Sequence, residues 1–295
     1  GADLLYTPEQ VMTLASNCLR GMFIAAPGKK LVVGDLSQIE SRVLAWLAGE
    51  TWKLDAYRAI DAGQGVDLYK LVYTQAFGGD PATVDDYQRQ IGKVADLACG
   101  FGGGPAAFGK MADVYGLAVD DPRRVVQRWR QAHERTVEFW YAVEAAVRQV
   151  CDGNGSTRVS DQVAVDRKGA WVRIRLPSGR YLSYPSMRSD EAGLSYMGVN
   201  NYTKQWERIW TYGGKLVENI VQATARDVLA ANLHTIQACR YQIVLTVHDE
   251  VITEAPDDPR FHAEHLCALM QTPHAWMAGL PLAAAGFEAK RYRKD

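Results

Sequence analysis

One short segment constrains the fold more than any other: the apolar run 31–34 ends directly at Asp35. Beyond it the apolar residues recur with helical spacing, and those on one face are Ile39, Val43, Trp46 and Leu47. The pattern predicts a buried strand that leads into a helix through a tight junction. An ionised carboxylate at the end of such a strand loses hydration, so it requires a cation or strong hydrogen-bond donors. Asp35 is therefore a candidate functional residue.

A second aspartate lies in a segment that alternates like a β-hairpin, residues 243–254, with His248 and Asp249 at its bend. Two carboxylates at the ends of separate strands are what a divalent-metal site for phosphoryl transfer requires. Considered alone, each aspartate would more often cap a turn or a helix. Together they favour metal-dependent phosphoryl transfer, whereas a metal-dependent nuclease would need a denser carboxylate cluster.

Helical patterns dominate the middle of the chain, from about residue 52 to residue 151, with breaks at 77–81 and 102–105. Strand patterns follow, and a helix returns at about 215–238, before the hairpin. The order of these segments predicts an α+β chain in which an antiparallel sheet is combined with a mainly helical middle part.

Basic and apolar residues alternate along the predicted strand 171–176. Arg173 and Arg175 lie on its polar side, and Arg180 ends the turn that leads to a second strand at 181–184. A basic face of this kind suits a DNA backbone. Solvated arginines on an edge strand explain the pattern equally well.

Charge and composition exclude several classes of protein. A net charge of −1 and a pI near 6.7 argue against a protein that coats nucleic acid through bulk positive charge, although they allow a local basic groove. The five cysteines form no CxxC pair and follow no secretory segment, which predicts a reducing, cytoplasmic compartment. No apolar run approaches the ~20 residues of a membrane span, so we expect no membrane partner.

A cationic pattern occupies another predicted helix, on which Arg89 and Lys93 are spaced i, i+4 and Leu97 and Phe101 continue the same face. Phosphates pair with arginine and lysine, while a base and a sugar need an apolar surface to pack against. The face therefore suits a nucleoside triphosphate. By itself it would be explained more simply as the solvated end of a core-facing helix.

Three segments jointly resemble the motifs of one enzyme family. Residues 35–42, Asp-Leu-Ser-Gln-Ile-Glu-Ser-Arg, resemble motif A of the family A DNA polymerases, the family of bacterial DNA polymerase I and many phage replicases. The segment from Arg89 through Lys93 to Phe101 resembles motif B. Its glycines, at 92, 100 and 102–104, resemble those of phage members more than those of bacterial members. Residues 247–250, Val-His-Asp-Glu, resemble motif C and lie on the predicted hairpin. Their order and context argue against chance agreement.

The resemblance implies a template-directed DNA polymerase that adds deoxynucleotides to a primer 3′ end with two Mg²⁺ ions. Asp35 and Asp249 would bind both ions, and the main-chain carbonyl of Leu36 would complete one coordination shell. Glu250 would assist nearby. A non-catalytic DNA-binding module that retains the fold is the main alternative.

The resemblance also implies a site for the incoming nucleotide. Arg89 and Lys93 would hold the triphosphate, and Lys93 would protonate the leaving pyrophosphate. Glu40 would lie under the sugar and exclude a 2′-hydroxyl, which favours DNA over RNA synthesis; the alternative is a helix-surface partner for an arginine. The remaining residues expected at the nucleotide are Gln38, Leu97 and Phe101.

The chain departs from the family pattern at three positions. Leu36 replaces an aromatic residue, Leu97 replaces Phe or Tyr, and Phe101 replaces Tyr. Leu36 should leave activity unaffected, because the metal contact there would be made by its main-chain carbonyl. Leu97 and Phe101 bear on fidelity and sugar selection. Gln222 and His248 would touch the primer-template near its growing end.

The family divides into palm and fingers, and the resemblance implies the same division here. We expect a first palm part at 1–51, fingers at 52–200 that include the basic hairpin near 171–184, and a second palm part at 201–295. In the family, the thumb and the exonuclease-type domain precede motif A, and only 34 residues precede Asp35. We therefore expect both to be absent from this chain and its grip on duplex DNA to be poor. The sequence leaves open whether a processivity factor assists.

Overall fold

The computed structural model describes residues 7–153 and 155–293. These residues fall into two compact units. The first unit draws its residues from 1–37, 228–274 and 282–295, and the second unit from 38–227 and 275–281.

The described chain combines helices with antiparallel strands. The helices are α1 (Pro8–Gly21), α2 (Ile39–Ala48), α3 (Thr51–Asp61), α4 (Leu68–Phe77), α5 (Asp86–Cys99), α6 (Pro105–Val114), α7 (Pro122–Ala132), α8 (Glu134–Asp152), α9 (Gly213–Ala238) and α10 (Ala263–Met270). The strands are β1 (Lys29–Leu36), β2 (Ser156–Arg158), β3 (Ala164–Lys168), β4 (Trp171–Arg175), β5 (Tyr181–Pro185), β6 (Arg188–Asp190), β7 (Gly193–Val199), β8 (Trp206–Thr211), β9 (Gln242–Val247), β10 (Glu250–Pro256) and β11 (Ala284–Ala289).

The first unit is built on a four-stranded antiparallel sheet in the order β11-β1-β10-β9. Its central strand β1 is buried along most of its length, as the apolar run predicted, and Asp35 is the exposed residue near its end. Helix α10 packs on β1 and β11. The helix can lie close to these strands because Gly34 of β1 and Gly286 of β11 are cross-strand partners without side chains. A Cβ atom on Gly34 would lie 2.5 Å from the sulfur of Met270 on α10.

Helices α2 to α8 belong to the second unit. The residues expected on one face of α2 are all buried, so that prediction is confirmed: Ile39, Val43, Trp46 and Leu47. Helix α5 begins at a capping box formed by Asp85 and Gln88. It crosses α4 at Gly92, where a Cβ would lie 2.1 Å from the carbonyl oxygen of Tyr69, so a larger residue would push the helices apart.

A buried polar cluster joins three of these helices and the start of α8. Lys53 on α3 and Asp96 on α5 form an ion pair of 2.5 Å, with side chains only 4% and 6% exposed. Ser41 on α2 donates to the same carboxylate at 3.2 Å. Burial is the largest single effect on the pKa of Asp96 and would raise it, but the charge of Lys53 and the hydrogen bonds from Lys53 and Ser41 act in the opposite direction, and the net result is a pKa below its usual range. Burial, reinforced by Lys53, lowers the pKa of the neighbouring His133 to about 3, so the imidazole is neutral at physiological pH.

The second unit also holds two antiparallel sheets, β2-β3-β4-β5 and β6-β7-β8. The predicted basic hairpin is confirmed as β4 and β5, whose register pairs Arg173 with Ser183. The predicted helical breaks at 77–81 and 102–105 are also confirmed. Three further breaks were missed, at 62–67, at 115–121 and at His133 between α7 and α8. The first two each contain a glycine with positive φ, Gly63 and Gly116, that ends a helix.

The predicted α+β class with antiparallel sheets is confirmed. Among the described residues, no helix is long and apolar enough to cross a membrane.

Candidate active site

The first unit brings the two predicted metal-binding aspartates to the same end of its sheet. Asp35 is the cross-strand partner of Glu250, and the main-chain N–H of Leu36 donates to the carbonyl oxygen of Asp249 at 3.2 Å. The predicted hairpin bend is confirmed, since β9 ends at Val247 and β10 begins at Glu250. The backbones that carry both carboxylates are therefore adjacent.

The tight turn between β9 and β10 fixes this arrangement. His248 has a φ of 55°, while Asp249 does not have a positive φ, a pattern found in II′ hairpin turns. A positive φ is strained for residues other than glycine, so the backbone of His248 is strained in this turn. The His248 side chain is exposed at this turn, next to Asp249 in sequence.

Glu250 is held by a residue that the motifs did not identify. The hydroxyl of Tyr292 donates to its carboxylate at 2.5 Å, and the Tyr292 ring is buried in the apolar cluster that contains Leu31, Val33 and Ile252. Burial, together with the charge of Glu250, raises the pKa of Tyr292 to about 12, so the phenol keeps its proton and remains a donor. A lone tyrosine far from motif C in sequence carries no pattern that could have revealed this contact.

The acidic end of the sheet fits magnesium by the chemistry of its donors. Carboxylate and carbonyl oxygens are the hard ligands that Mg²⁺ prefers, and polymerase sites bind it through one or two carboxylates plus substrate phosphates and water. Asp35 and Asp249 supply two carboxylates, as such a site requires. Among the described residues, no group of three or more His, Cys, Asp or Glu side chains could hold an ion alone.

In the second unit, Tyr69 connects two of the predicted nucleotide-binding residues. The guanidinium of Arg89 lies over the Tyr69 ring, 5.3 Å from its centroid, and the Gln38 amide donates to the Tyr69 hydroxyl at 3.3 Å. Arg89 also pairs with Asp67 at 2.9 Å, and hydrogen bonding to that carboxylate raises the pKa of Arg89. Asp67 itself caps the N-terminus of α4, so the arginine is fixed to a rigid element.

Lys93 and Leu97 follow Arg89 along the same face of α5. The Lys93 ammonium lies 4.8 Å from the ring centroid of Tyr115, and Leu97 is 44% exposed, as a ligand-facing residue would be. Phe101 does not continue this helical face. The helix ends at Cys99, so that part of the prediction is wrong: the glycine-rich sequence beyond it forms a turn, which contains Phe101.

Glu40 lies in the first turn of α2, where its side chain is exposed. Gln38, which precedes the helix, has a left-handed backbone with φ 51°. Only Ser37 and Gln38 separate β1 from α2, as the strand-to-helix pattern predicted. The roles of Glu40, Gln38, Leu97 and Phe101 toward a nucleotide stay predictions.

The three arginines predicted to follow DNA differ in their surroundings. Arg173 forms a two-point ion pair with Asp166 at 2.7 and 2.8 Å, and Arg180 pairs with Asp227 at 2.8 Å. Arg175 is exposed. Partner carboxylates within the chain compensate two of the three charges, so the polar face is less basic than the sequence indicates. Contact of this hairpin with DNA stays a prediction.

Two of the predicted DNA-binding residues do lie together. Arg180 and Gln222 line one open pocket of about 530 Å³ in the second unit. Other polar and aromatic side chains that line it are Tyr184, Tyr196, Asn219 and Arg226.

Comparisons with known proteins identify the family. A sequence profile described as DNA polymerase family A matches residues 10–158. The DNA polymerase of Bacillus phage SP02 is 38% identical over 99% of this chain and 45% of its own length. DNA polymerase I of Chloroflexus aurantiacus is 27% identical over 81% of this chain and 21% of its own length. The chain thus spans less than half the length of these relatives.

A solved structure has the same fold. It is described as the POL domain of Pol1 from M. smegmatis in complex with DNA primer-template and dNTP, and it aligns with a TM-score of 0.59 and 18% identity over 94% of this chain and 42% of that chain. The palm-and-fingers type of fold expected from the motifs agrees with this likeness. Because the family profile covers half of the chain and the phage relative aligns along almost all of it, the chain belongs to DNA polymerase family A.

Proposed function

We propose that the chain adds deoxynucleotides to a primer 3′ end under the direction of a template strand. The observation that carries this proposal is the adjacency of Asp35 and Asp249, from motifs A and C, at one end of the first unit's sheet. The description of the mycobacterial Pol1 structure supports primer-template DNA and deoxynucleoside triphosphates as partners. We assign residues 1–51 and 201–295 to the palm and 52–200 to the fingers.

In this proposal the acidic residues hold the metal ions. Asp35 and Asp249 would bind two Mg²⁺ ions, with the Leu36 carbonyl as a further ligand and Glu250 oriented by Tyr292 nearby. When bound, the ions would acidify the primer 3′-hydroxyl and stabilise the charge on the transferring phosphoryl group. The protein itself would perform little acid-base chemistry at this position.

The second unit would bind and orient the nucleotide. Arg89, fixed by Asp67 and Tyr69, would pair with the triphosphate, and Lys93 would pair with it and donate the proton that the leaving pyrophosphate takes up. Glu40 would exclude a 2′-hydroxyl. Gln222 and His248 would contact the primer-template.

Primer extension separates this function from its main alternative, a DNA-binding module without catalysis. A labelled primer annealed to a template should lengthen in the presence of the chain, deoxynucleotides and Mg²⁺, and should not lengthen when Mg²⁺ is chelated. A chain that shifts the primer-template in a binding assay without extending it would establish the non-catalytic alternative.

Glu40→Ala should admit ribonucleotides, because shortening the side chain opens space where the 2′-hydroxyl would lie. We expect the ratio of ribonucleotide to deoxynucleotide incorporation efficiency to rise by about tenfold or more, the scale on which steric pockets discriminate. Glu138→Ala is the control, since that glutamate is exposed and pairs with its helix neighbour Arg135 at 3.0 Å. A ratio unchanged by Glu40→Ala would assign Glu40 to the helix surface.

Leu97→Tyr should reduce discrimination against dideoxynucleotides. In the family, a tyrosine at this position accepts chain terminators because its phenol supplies a polar group near the missing 3′-hydroxyl. Leu97 is exposed on α5, so a larger ring fits without overpacking the core. The measurement compares dideoxy and deoxy incorporation efficiencies in both proteins. Equal ratios in an active variant would show that residue 97 does not face the sugar.

A further inference from the structure

Two residues that the proposed function leaves without a role lie next to the predicted sugar contacts. On α2, Ser41 directly follows Glu40, and on α5, Asp96 directly precedes Leu97. Glu40 and Leu97 are exposed, as residues that face a nucleotide would be. Ser41 is half-buried, and the Asp96 side chain is only 6% exposed. Each helix thus presents one residue outward and the neighbouring one inward.

The two inward residues are joined by a hydrogen bond. The Ser41 hydroxyl donates to one carboxylate oxygen of Asp96, Oδ2, at 3.2 Å. The Lys53 ammonium binds the other oxygen, Oδ1, at 2.5 Å, and it comes from a third helix, α3. Because each oxygen of Asp96 has its own partner, rotation of the carboxylate would break one of these bonds.

This bond connects two helices that do not pack along each other. Helix α2 packs on α3 and α8, whereas α5 packs on α4, α6 and α7. An apolar contact exists where α5 ends, since a Cβ atom on Gly100 would lie 3.4 Å from a methyl group of Leu44 on α2. Apolar contacts are non-directional, whereas a hydrogen bond to a charged group is short and directional. The bond from Ser41 to Asp96 is therefore suited to fix one helix against the other.

Stability alone explains the buried charges poorly. Replacing a buried ion pair such as Lys53–Asp96 by apolar residues of similar volume is often neutral or stabilising. In some proteins such a pair instead specifies one arrangement of the elements that carry it. Here those elements include the helices of Glu40 and Leu97.

Sugar selection by exclusion is sensitive to small displacements. A side chain that rejects a 2′-hydroxyl by contact must lie at a defined distance from the sugar, and a misplacement of about 1 Å can change a rate by about 10²-fold. Glu40 and Ser41 share the first turn of α2, so a shift of that turn moves both residues.

We propose that Ser41 and Asp96 are positioning residues for sugar selection. Their hydrogen bond fixes the first turn of α2 against α5 and thereby holds Glu40 where it excludes a 2′-hydroxyl. The inference rests on the proposed polymerase function and on the role proposed there for Glu40. Neither Ser41 nor Asp96 would touch the nucleotide, and both would act through Glu40.

The experiment compares single-turnover incorporation of a ribonucleotide and of the matching deoxynucleotide opposite one templating base. Ser41→Ala removes the hydroxyl and leaves the ion pair between Lys53 and Asp96 in place. Ser41→Thr, which keeps a hydroxyl, is the conservative variant. Ser189→Ala is the matched control, because Ser189 is also half-buried and its hydroxyl also lies 3.2 Å from a charged group, the guanidinium of Arg148.

Ser41→Ala should raise the ratio of ribonucleotide to deoxynucleotide efficiency by about threefold to tenfold, less than Glu40→Ala, because the glutamate is displaced and not removed. Ser41→Thr should restore the wild-type ratio, and Ser189→Ala should leave it unchanged. Adding Ser41→Ala to Glu40→Ala should raise the ratio no further, since residues that act through one another are not additive.

A second variant separates positioning from stability. Lys53→Met/Asp96→Leu replaces the ion pair by apolar side chains of similar volume, which is often neutral for stability, and it also removes the acceptor of the hydrogen bond. It should raise the ratio as Ser41→Ala does, even with a melting temperature close to that of the wild-type chain. A wild-type ratio in this variant would overturn the proposal.

The remaining outcomes are distinguishable from one another. An unchanged ratio in active Ser41→Ala would contradict the inference and leave the polymerase function standing. A rise that adds to that of Glu40→Ala would contradict action through Glu40. An unchanged ratio in Glu40→Ala would remove the role on which the inference rests. Absence of primer extension by the wild-type chain would remove the proposed function, and this inference with it.

Discussion

Asp249→Asn is expected to lower the rate of nucleotide incorporation by about a thousandfold or more, because a lost metal ligand removes several kcal/mol of transition-state stabilisation. Asp35→Asn should have a comparable effect, since the two residues are adjacent at the end of the sheet and would share both ions. Each substitution preserves side-chain size, so the fold should remain intact. The measurement is single-turnover incorporation, with the circular dichroism spectrum and melting temperature as checks on folding.

Asp257→Asn provides the matched control. This carboxylate belongs to the same unit and is exposed, and it pairs with Lys290 at 2.6 Å away from the two motifs. The control should incorporate nucleotides at the wild-type rate. Incorporation by Asp35→Asn or Asp249→Asn at a similar rate would contradict the assignment of these residues to the metals.

The second large effect concerns stability. Lys53→Met should lower the free energy of unfolding by about 3–5 kcal/mol, the usual result of leaving one member of a buried ion pair uncompensated. Its partner Asp96 is almost wholly buried, and neither Ser41 nor the neutral His133 can replace a positive charge. Urea unfolding monitored by tryptophan fluorescence gives the measurement.

Two further variants show whether the ion pair is the cause. Lys53→Met/Asp96→Leu should recover much of the loss, because an apolar pair of similar volume avoids the cost of burying charge. Lys215→Met removes an exposed lysine that pairs with Glu218 and should change stability by about 1 kcal/mol or less. If Lys53→Met were no more destabilising than Lys215→Met, the buried cluster would not be a determinant of stability.

Local patterns predicted the elements of the fold well. The apolar run before Asp35 became β1, and the alternation around His248 became the β9–β10 hairpin, because both depend on residues that are close in sequence. The end of α5 was placed too late. The helical spacing that starts at Arg89 was extended to Phe101, although the helix ends at Cys99 and a glycine-rich turn follows it.

Contacts between distant residues could not be predicted in this way. Tyr292 binds Glu250 across 42 residues, and Lys53 binds Asp96 across 43. Neither pair has a spacing rule, since both depend on how whole elements pack. The ion pair between Arg173 and Asp166 was overlooked for a related reason: the basic strand was considered without the neighbour β3 that supplies the aspartate.

The central claim, template-directed DNA synthesis, is tested most directly by single-nucleotide incorporation with each of the four templating bases. Each template is offered all four deoxynucleotides separately, with Mg²⁺ present or chelated. The account predicts that only the complementary deoxynucleotide is added efficiently and that chelation stops the reaction. A chain that binds these primer-templates but adds no nucleotide, or adds nucleotides without regard to the templating base, would contradict it.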